Sequence, residues 1–380
     1  MNLNGEALKS KFLNGSLGLT LISIALGFLL GAIILLVAGF NPLEAYWVIL
    51  KGIFSRSKYV SYVIIYATPL IITGLSVAFA MRTGLFNIGA EGQYIIGAIM
   101  AAAAGYFFKL PLILHVTVAV GLAIIAAAVW GGLAGYIKAR FGVHEVISTI
   151  MLNWVALYLS NFVVTLKAFG SQGTGKTYAI QSTARINLLS DWKISEAGIE
   201  FIRSHKILGD VLKTPINIGF VFAILLAVLV WYILNKTTLG YELRAVGFNP
   251  HAAEAGGINV KKSMVISMLF SGGLAGAAGA FQVLGVSHRI AKLAAMEGYG
   301  FDGIAVSLIG NNTGAGSVFA GLLFGALKYG GSKIQDAMQA PTEVINIMIG
   351  TIILFVAMPK LIRLILTILE RRAKNGWKQS

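Results

Sequence analysis

An all-α polytopic membrane protein with about ten transmembrane helices, discontinuous half-helices among them, is the fold that this sequence of 380 residues predicts. Three observations predict it. Apolar residues make up 57% of the chain and charged residues only 12%, against roughly 25% charged in soluble domains. Mean hydropathy is +0.80. Charge-free stretches also recur at lengths near the ~20 residues that a helix needs to cross the hydrocarbon core. A soluble chain of this length would need far more polar surface, so most of this one faces lipid or other apolar segments.

Residues 17–40 carry no charge and exceed the apolar core of a cleavable signal peptide, which makes them an uncleaved first span. Uncharged stretches follow at 59–81, 112–137, 146–166, 214–235, 263–287 and 344–359. The stretch 84–108 is apolar except for Glu91. The stretch 303–327 is broken by "GNNTGAG" (310–316), which predicts two shorter helical pieces in place of one continuous span. These total ten crossings, with both termini on the same side, and the whole of 1–380 reads as a single transmembrane domain. The one sizeable polar segment is the connector 167–213, expected outside the cell. Within it "SEAGIEFIRSHKILGDVLK" (195–213) has apolar residues at roughly helical spacing and reads either as an interfacial amphipathic helix or as an irregular loop.

The formal charge of +15 does not indicate nucleic acid, because the basic residues lie in short connectors and the tail and form no dense patch interleaved with aromatics. They read as topological charge with some affinity for anionic lipid headgroups. Cytoplasmic termini place Lys9, Lys11, Arg82, Lys138, Arg140, Lys236, Arg244, Lys261, Lys262 and the basic tail inside. Counted over the whole chain, Lys and Arg divide evenly between the two faces; with the connector 167–213 set aside, the inner face carries the excess, as the positive-inside rule requires. The absence of cysteine excludes disulfides, thiol catalysis and cysteine-ligated metals.

The octapeptide "GSQGTGKT" (170–177) fits the phosphate-binding pattern G-x-x-x-x-G-K-[ST] through Gly170, Gly175, Lys176 and Thr177. Such a loop works because a buried strand feeds a tight glycine turn that aims backbone N–H groups and a helix N-terminus at the phosphates. Here the preceding "NFVVTLKAF" reads as the frayed end of a membrane helix, nothing downstream resembles a strand ending in a Mg²⁺-holding Asp, and the expected topology puts the segment outside, away from ATP. The match is accidental. No HExxH, Ser–His–Asp set or clustered histidines occur, so neither an enzyme nor a metal or cofactor site is expected.

Three polar constellations stand out. In "GLFNIGAEGQYIIGA" (84–98), Asn87, Glu91 and Gln93 enter a membrane segment amid glycines that permit close approach or a helix break. An ionisable group there is costly and faces a pathway or partner, or else sits at the boundary and neutralises Arg82. In "LGYELRAVGFNPHAAEAGGINVKKS" (239–263), good helix formers at Ala252, Ala253, Glu254 and Ala255 stop at Gly256 and Gly257, the pattern of a short surface helix or of a loop with one helical turn. In "FDGIAVSLIGNNTGAGSVFAG" (301–321), Asp302 is a natural N-cap at the mouth of a half-helix, with substrate contact as a second role, and Asn311 and Asn312 fall at the break. Among in-span polar residues, Asn153 must find a partner inside the protein, Trp154 either stacks on a flat ring or packs, and Gln282 ends the small-residue-rich "SMLFSGGLAGAAGAFQ" (267–282).

The motifs "GLFNIGAEGQYIIGA", "STIMLNWVALYL", "GYELRAVGFNPHAAEAGGINV", "SGGLAGAAGAFQ" and "FDGIAVSLIG", in this order from about residue 42 to 360, resemble the permease subunits of bacterial ABC importers for nucleosides, simple sugars and branched-chain amino acids. "FNIGAEGQ" is closest to the nucleoside branch. The resemblance implies a type II-like importer permease in the bacterial cytoplasmic (inner) membrane that carries nucleosides by alternating access. It implies four kinds of partner: a cytoplasmic ATP-binding subunit, a second and often non-identical permease subunit, an extracytoplasmic substrate-binding lipoprotein, and membrane lipid. The counterpart of the coupling helix lies in the connector 236–262, with Asn249 and Ala252 to Gly257 receiving the ATPase. Asn87, Glu91, Gln93, Asn153, Trp154, Gln282 and Asp302 are the residues expected along the substrate path. The alternatives are a simple sugar such as ribose as cargo and, from another class, an ion-coupled secondary transporter. The latter needs several intramembrane carboxylates, of which only Glu91 and Asp302 are candidates.

Overall fold

The computed structural model describes residues 16–357. The terminal charges Lys9 and Lys11 and the basic tail, with the side of the membrane assigned from them, lie outside the described residues. The described chain is almost entirely helical: α1 (Ser16–Val37), α2 (Pro42–Phe54), α3 (Ser57–Met81), α4 (Ala90–Phe107), α5 (Leu112–Phe141) and α6 (Glu145–Thr165), then the strands β1 (Gly170–Ser171) and β2 (Lys176–Thr177). There follow α7 (Glu196–Ser204), α8 (Lys206–Leu212), α9 (Gly219–Lys236), α10 (Thr238–Phe248), α11 (Pro250–Ala255), α12 (Val260–Gln282), α13 (Tyr299–Ile309), α14 (Gly314–Met338) and α15 (Thr342–Ala357).

Among the described residues, α3, α5, α6, α9 and α12 with the turn that follows it are long and apolar enough to cross a membrane, and the part Ile22–Val37 of α1 with α2 forms a bent pair at 118°. That gives five or six spans by length and composition, fewer than the ten expected. The shortfall has a physical cause. The helix α4 spends its first turn on Glu91 and Gln93, α13 is short because the chain turns before it at Gly298 and after it at Asn311 and Asn312, and α15 is described only as far as Ala357.

The chain forms two compact units, Ile53–Ala326 and the segments on either side of it, with boundaries inside α2 and α14. In the flanking unit Gly27 and Gly31 of α1 lie against Ile352 of α15, and Gly31 also meets the Tyr46 hydroxyl, which donates to Phe28 O at 2.5 Å. In the unit Ile53–Ala326, α3 and α12 are buried over most of their length, whereas α5, α6 and α9 leave most of their surface outward, the distribution of central helices ringed by lipid-facing ones. Small residues set that packing. Gly97 of α4 meets the backbone of Gly276, and Gly272 and Gly276 meet Ala127 and Ala123 of α5, contacts that any side chain would prevent.

The connector after α6 is ordered. It holds the β1–β2 hairpin, and α7 and α8 realise the amphipathic reading of 195–213 as two short helices. Asp210 on α8 accepts from Arg56 Nε at 3.0 Å and from Lys213 at 3.4 Å, which ties the connector to the start of α3.

Candidate functional site

The loop 82–89 leaves α3 and turns back before α4 begins, with Gly84 at φ +73° packed on Gly247. Its backbone groups need partners inside the protein, because irregular backbone at membrane depth is tolerated only when satisfied. Side chains supply them. Asn153 of α6 accepts from Gly92 N at 2.8 Å and donates to Ile88 O at 3.0 Å. Since the N-cap of α4 is Gly89, which has no side chain to offer, Asn153 acts as its cap from another helix. Glu145 accepts from Phe86 N at 3.3 Å and pairs with Lys138, clamping the same loop from below.

Asn87 and Gln93 exchange amide hydrogen bonds at 2.8 and 3.1 Å. Asn87 also donates to Ser271 Oγ on α12 at 2.6 Å, and Ser271 and Ser76 bond across α12 and α3 at 3.0 Å. All of these side chains are buried. The result is a polar knot in which three helices and a loop share one network. In low dielectric such a network is stiff when every member is paired and costly when one is not.

Glu91 is fully buried and does not pair with Arg82. Its carboxylate accepts from Gly298 N at 2.8 Å and Gly300 N at 2.6 Å, the opening N–H groups of α13. Glu91 itself stands in the first turn of α4. One carboxylate therefore lies between two helix N-termini, where backbone donors and helix dipoles favour negative charge. Arg82 instead donates to Asn312 O at 2.8 Å, closing the loop between α13 and α14. The expected break at Asn311 and Asn312 is present, both residues having φ +52°.

The expectation for Asp302 needs correction. The N-cap of α13 is Gly298 at φ +87°, so the helix starts earlier than the sequence suggests and Asp302 is its fourth residue, its N–H bonded to Gly298 O. Glu91 does the capping that Asp302 was expected to do. Asp302 still lies in the first turn, where its charge complements the dipole.

The remaining residues are dispersed. Trp154 is 48% exposed and stacks on Tyr158 at 6.1 Å, on a different face of α6 from Asn153. Gln282 ends α12 and lines a cavity of about 350 Å³ with Tyr94, Ser160, Lys176 and Glu297. Ser76, Ser271 and Glu145 escape the sequence reading. The serines look like small packing residues in span interiors, and Glu145 looks like the ordinary acidic first turn of a helix. A carboxylate seven residues after Lys138 was the one usable signal.

The connector helix α11 is capped by Asn249, whose side chain accepts from His251 N at 3.0 Å and Ala252 N at 3.1 Å, with Pro250 at its first position. Gly257 at φ +84° ends the turn. Ala253 is buried, while Ala252, Glu254, Ala255, Gly256 and Gly257 are exposed and Phe248 just before them is 90% exposed. The helix thus presents one face outward on a short, firmly capped platform.

The octapeptide 170–177 forms the β1–β2 hairpin, with Gly170 opposite Thr177 and Ser171 opposite Lys176. No helix N-terminus follows it; a single 3₁₀ turn at Ser182–Ala184 comes next. The phosphate-binding geometry is absent.

Residues 59–357 match the family model described as branched-chain amino acid transport system / permease component. The guanosine ABC transporter permease protein NupP of Bacillus subtilis (strain 168) is 41% identical over 355 residues, 93% of this chain and 97% of that protein. The nucleoside ABC transporter permease protein NupB of Lactococcus lactis subsp. cremoris (strain MG1363) is 34% identical, covering 91% and 92%. The glucose ABC transporter permease protein TsgB13 of Haloferax volcanii is 28% identical, covering 89% and 86%. No solved structure matches the chain. Knotted half-helices inside an apolar bundle, an exposed capped helix between spans and this breadth of similarity lead to one conclusion: the chain is a multi-pass membrane protein that belongs to the ABC transporter permease family, a transport subunit and not an enzyme.

Proposed function

We propose that this permease carries nucleosides into the cell, working with an ATP-binding subunit and a substrate-binding protein, as ABC importers do. The observation that carries the reading is the full-length similarity to a guanosine permease and a nucleoside permease. The site is compatible with it. Asn87, Glu91, Gln93 and Asn153 are saturated by protein partners, so in this reading they hold the broken helices beside the path, leaving cargo contact to groups such as Gln282. Two half-helices pinned through one carboxylate make a joint that can move as a unit, which suits alternating access by rigid-body motion.

The ATP-binding subunit docks on α11 and the exposed Phe248 from the cytoplasm, and both termini are cytoplasmic in this reading. A second, non-identical permease subunit pairs with this one in the membrane. The chain lies in a bacterial cytoplasmic membrane, with its binding lipoprotein outside.

Vesicles containing this chain, its second permease and the ATP-binding subunit test the reading with labelled guanosine, uridine and glucose. Guanosine or uridine uptake that requires ATP is expected. Uptake of glucose alone would move the cargo to sugars, and uptake driven by an ion gradient without the ATP-binding subunit would contradict the mechanism.

A further inference from the structure

The cavity lined by Gln282 shares no residue with the polar knot of Asn87, Gln93, Ser271 and Ser76, and its construction is that of a ligand site. Its volume of about 350 Å³ falls in the range of small-molecule sites. The floor is apolar, from Ile95 of α4 and Leu293 of the loop that follows α12. The polar groups around it are the Gln282 amide, the Glu297 carboxylate, the Tyr94 and Ser160 hydroxyls, and the cations Lys176 and Arg289.

Four features separate it from a packing defect. The Ser160 side chain is 1% exposed, and its hydroxyl makes no hydrogen bond among the described residues, which leaves a buried polar atom for which a ligand would be the partner. Directly after Gln282 the helix passes into a π turn, Val283–Ser287, a distortion found often at functional sites. The wall is sewn in place. Thr177 N donates to Ile290 O at 2.8 Å, Ile290 N to Thr177 Oγ1 at 3.0 Å, and Asn161 exchanges two hydrogen bonds with the backbone of Leu293. Finally, the Glu297 carboxylate is oriented, accepting from Tyr94 OH at 2.9 Å.

We infer that this cavity is a nucleoside subsite, with Glu297 accepting from the ribose hydroxyls and Gln282 reading the edge of a base that lies on Ile95 and Leu293. The inference rests on the nucleoside reading and adds the place and the contacts. A carboxylate that takes a ribose diol recurs in nucleotide sites because two vicinal hydroxyls match its two oxygens. An amide both donates and accepts, as a base edge requires. Glu297 offsets one of the two positive charges that Lys176 and Arg289 bring to the lining. Lys176, the lysine of the accidental phosphate motif, thus faces the cargo path on the hairpin that closes the cavity.

The chain has no native cysteine, so Ser160→Cys places a single reporter thiol in it. In the assembled importer, alkylation of that thiol by a small methanethiosulfonate is followed alone, with guanosine and with 2′,3′-dideoxyguanosine. Guanosine is expected to protect, and the dideoxy compound to protect less. Adding Glu297→Gln, which keeps one of the two acceptor oxygens, is expected to lower apparent guanosine affinity by about tenfold, the loss of one hydrogen bond to a charged group, and to narrow the preference over the dideoxy compound. Equal alkylation with and without guanosine, an unreactive thiol in every condition, or equal protection by the dideoxy compound overturns the subsite. Guanosine uptake by the unmodified importer is measured beside it. If uptake is intact while protection is absent, only the subsite fails; if uptake itself is absent, the nucleoside reading fails.

Discussion

Glu91 is the residue on which the site turns. A carboxylate in an apolar span reads from sequence as a pathway group, but in the structure it joins two helix ends, standing in the first turn of α4 and capping α13. Replacing it by Gln keeps the shape but turns an amide N–H toward a backbone N–H. The expected cost is about 1.5–3 kcal/mol, read as a lower melting temperature of the purified protein in detergent. Gly300→Ala should be worse, because a side chain there collides with the backbone of Ala90 and Glu91. Asn153→Ala leaves Gly92 N and Ile88 O buried without partners, a loss of about 1–3 kcal/mol. A variant of either residue that melts like the wild type would refute its capping role. That Asn153 needs an internal partner was legible from its place in a span. That Glu91 caps α13 was not, since some two hundred residues separate Glu91 from Gly298 and no local pattern joins them.

Among the elements, the short ones were the more legible. Asn249 before Pro250, and Gly256 with Gly257 after Ala255, spell out α11 in local chemistry, and the structure keeps those bounds. The start of α13 lies earlier than local chemistry predicts, because Asp302 is the better intrinsic cap. A glycine turn at Gly298 and a carboxylate from α4 displaced it, a tertiary override that propensity cannot anticipate. The connector gives an acid-dependent prediction. Desolvation raises the Asp210 carboxyl, but Arg56 and Lys213 outweigh it and hold it below the usual carboxylate range. A group depressed in the folded state contributes stability above its unfolded pKa and loses it as pH falls through the folded value. The tie between α8 and α3 should therefore survive the ordinary carboxylate range, near pH ~4, and loosen only below it. A spin label on Ile207→Cys reports this: its mobility should be flat from neutral pH down to that range and rise below it. With Asp210→Asn it should be mobile already at neutral pH.

At the scale of the whole molecule, composition alone fixed the membrane class, because a chain with so few charges cannot cover a water-facing surface. The number of spans was less legible. Hydropathy registers long apolar helices such as α3 and α12, whereas α4 opens on a polar turn and α13 is short, so neither reaches the length and composition of a span. The order of motifs gave the family, and the hairpin at 170–177 shows why a letter-for-letter phosphate motif carried no weight: without a strand before it and a helix after it, the glycines make only a turn. In the proposed reading the chain is a gate with no engine of its own, moved through the six-residue helix α11 by a separate ATPase. Uptake by the assembled importer carrying Glu254→Arg tests this most directly. ATP-dependent nucleoside uptake should be abolished while membrane level and melting temperature stay at wild-type values; wild-type uptake in that variant would contradict the account.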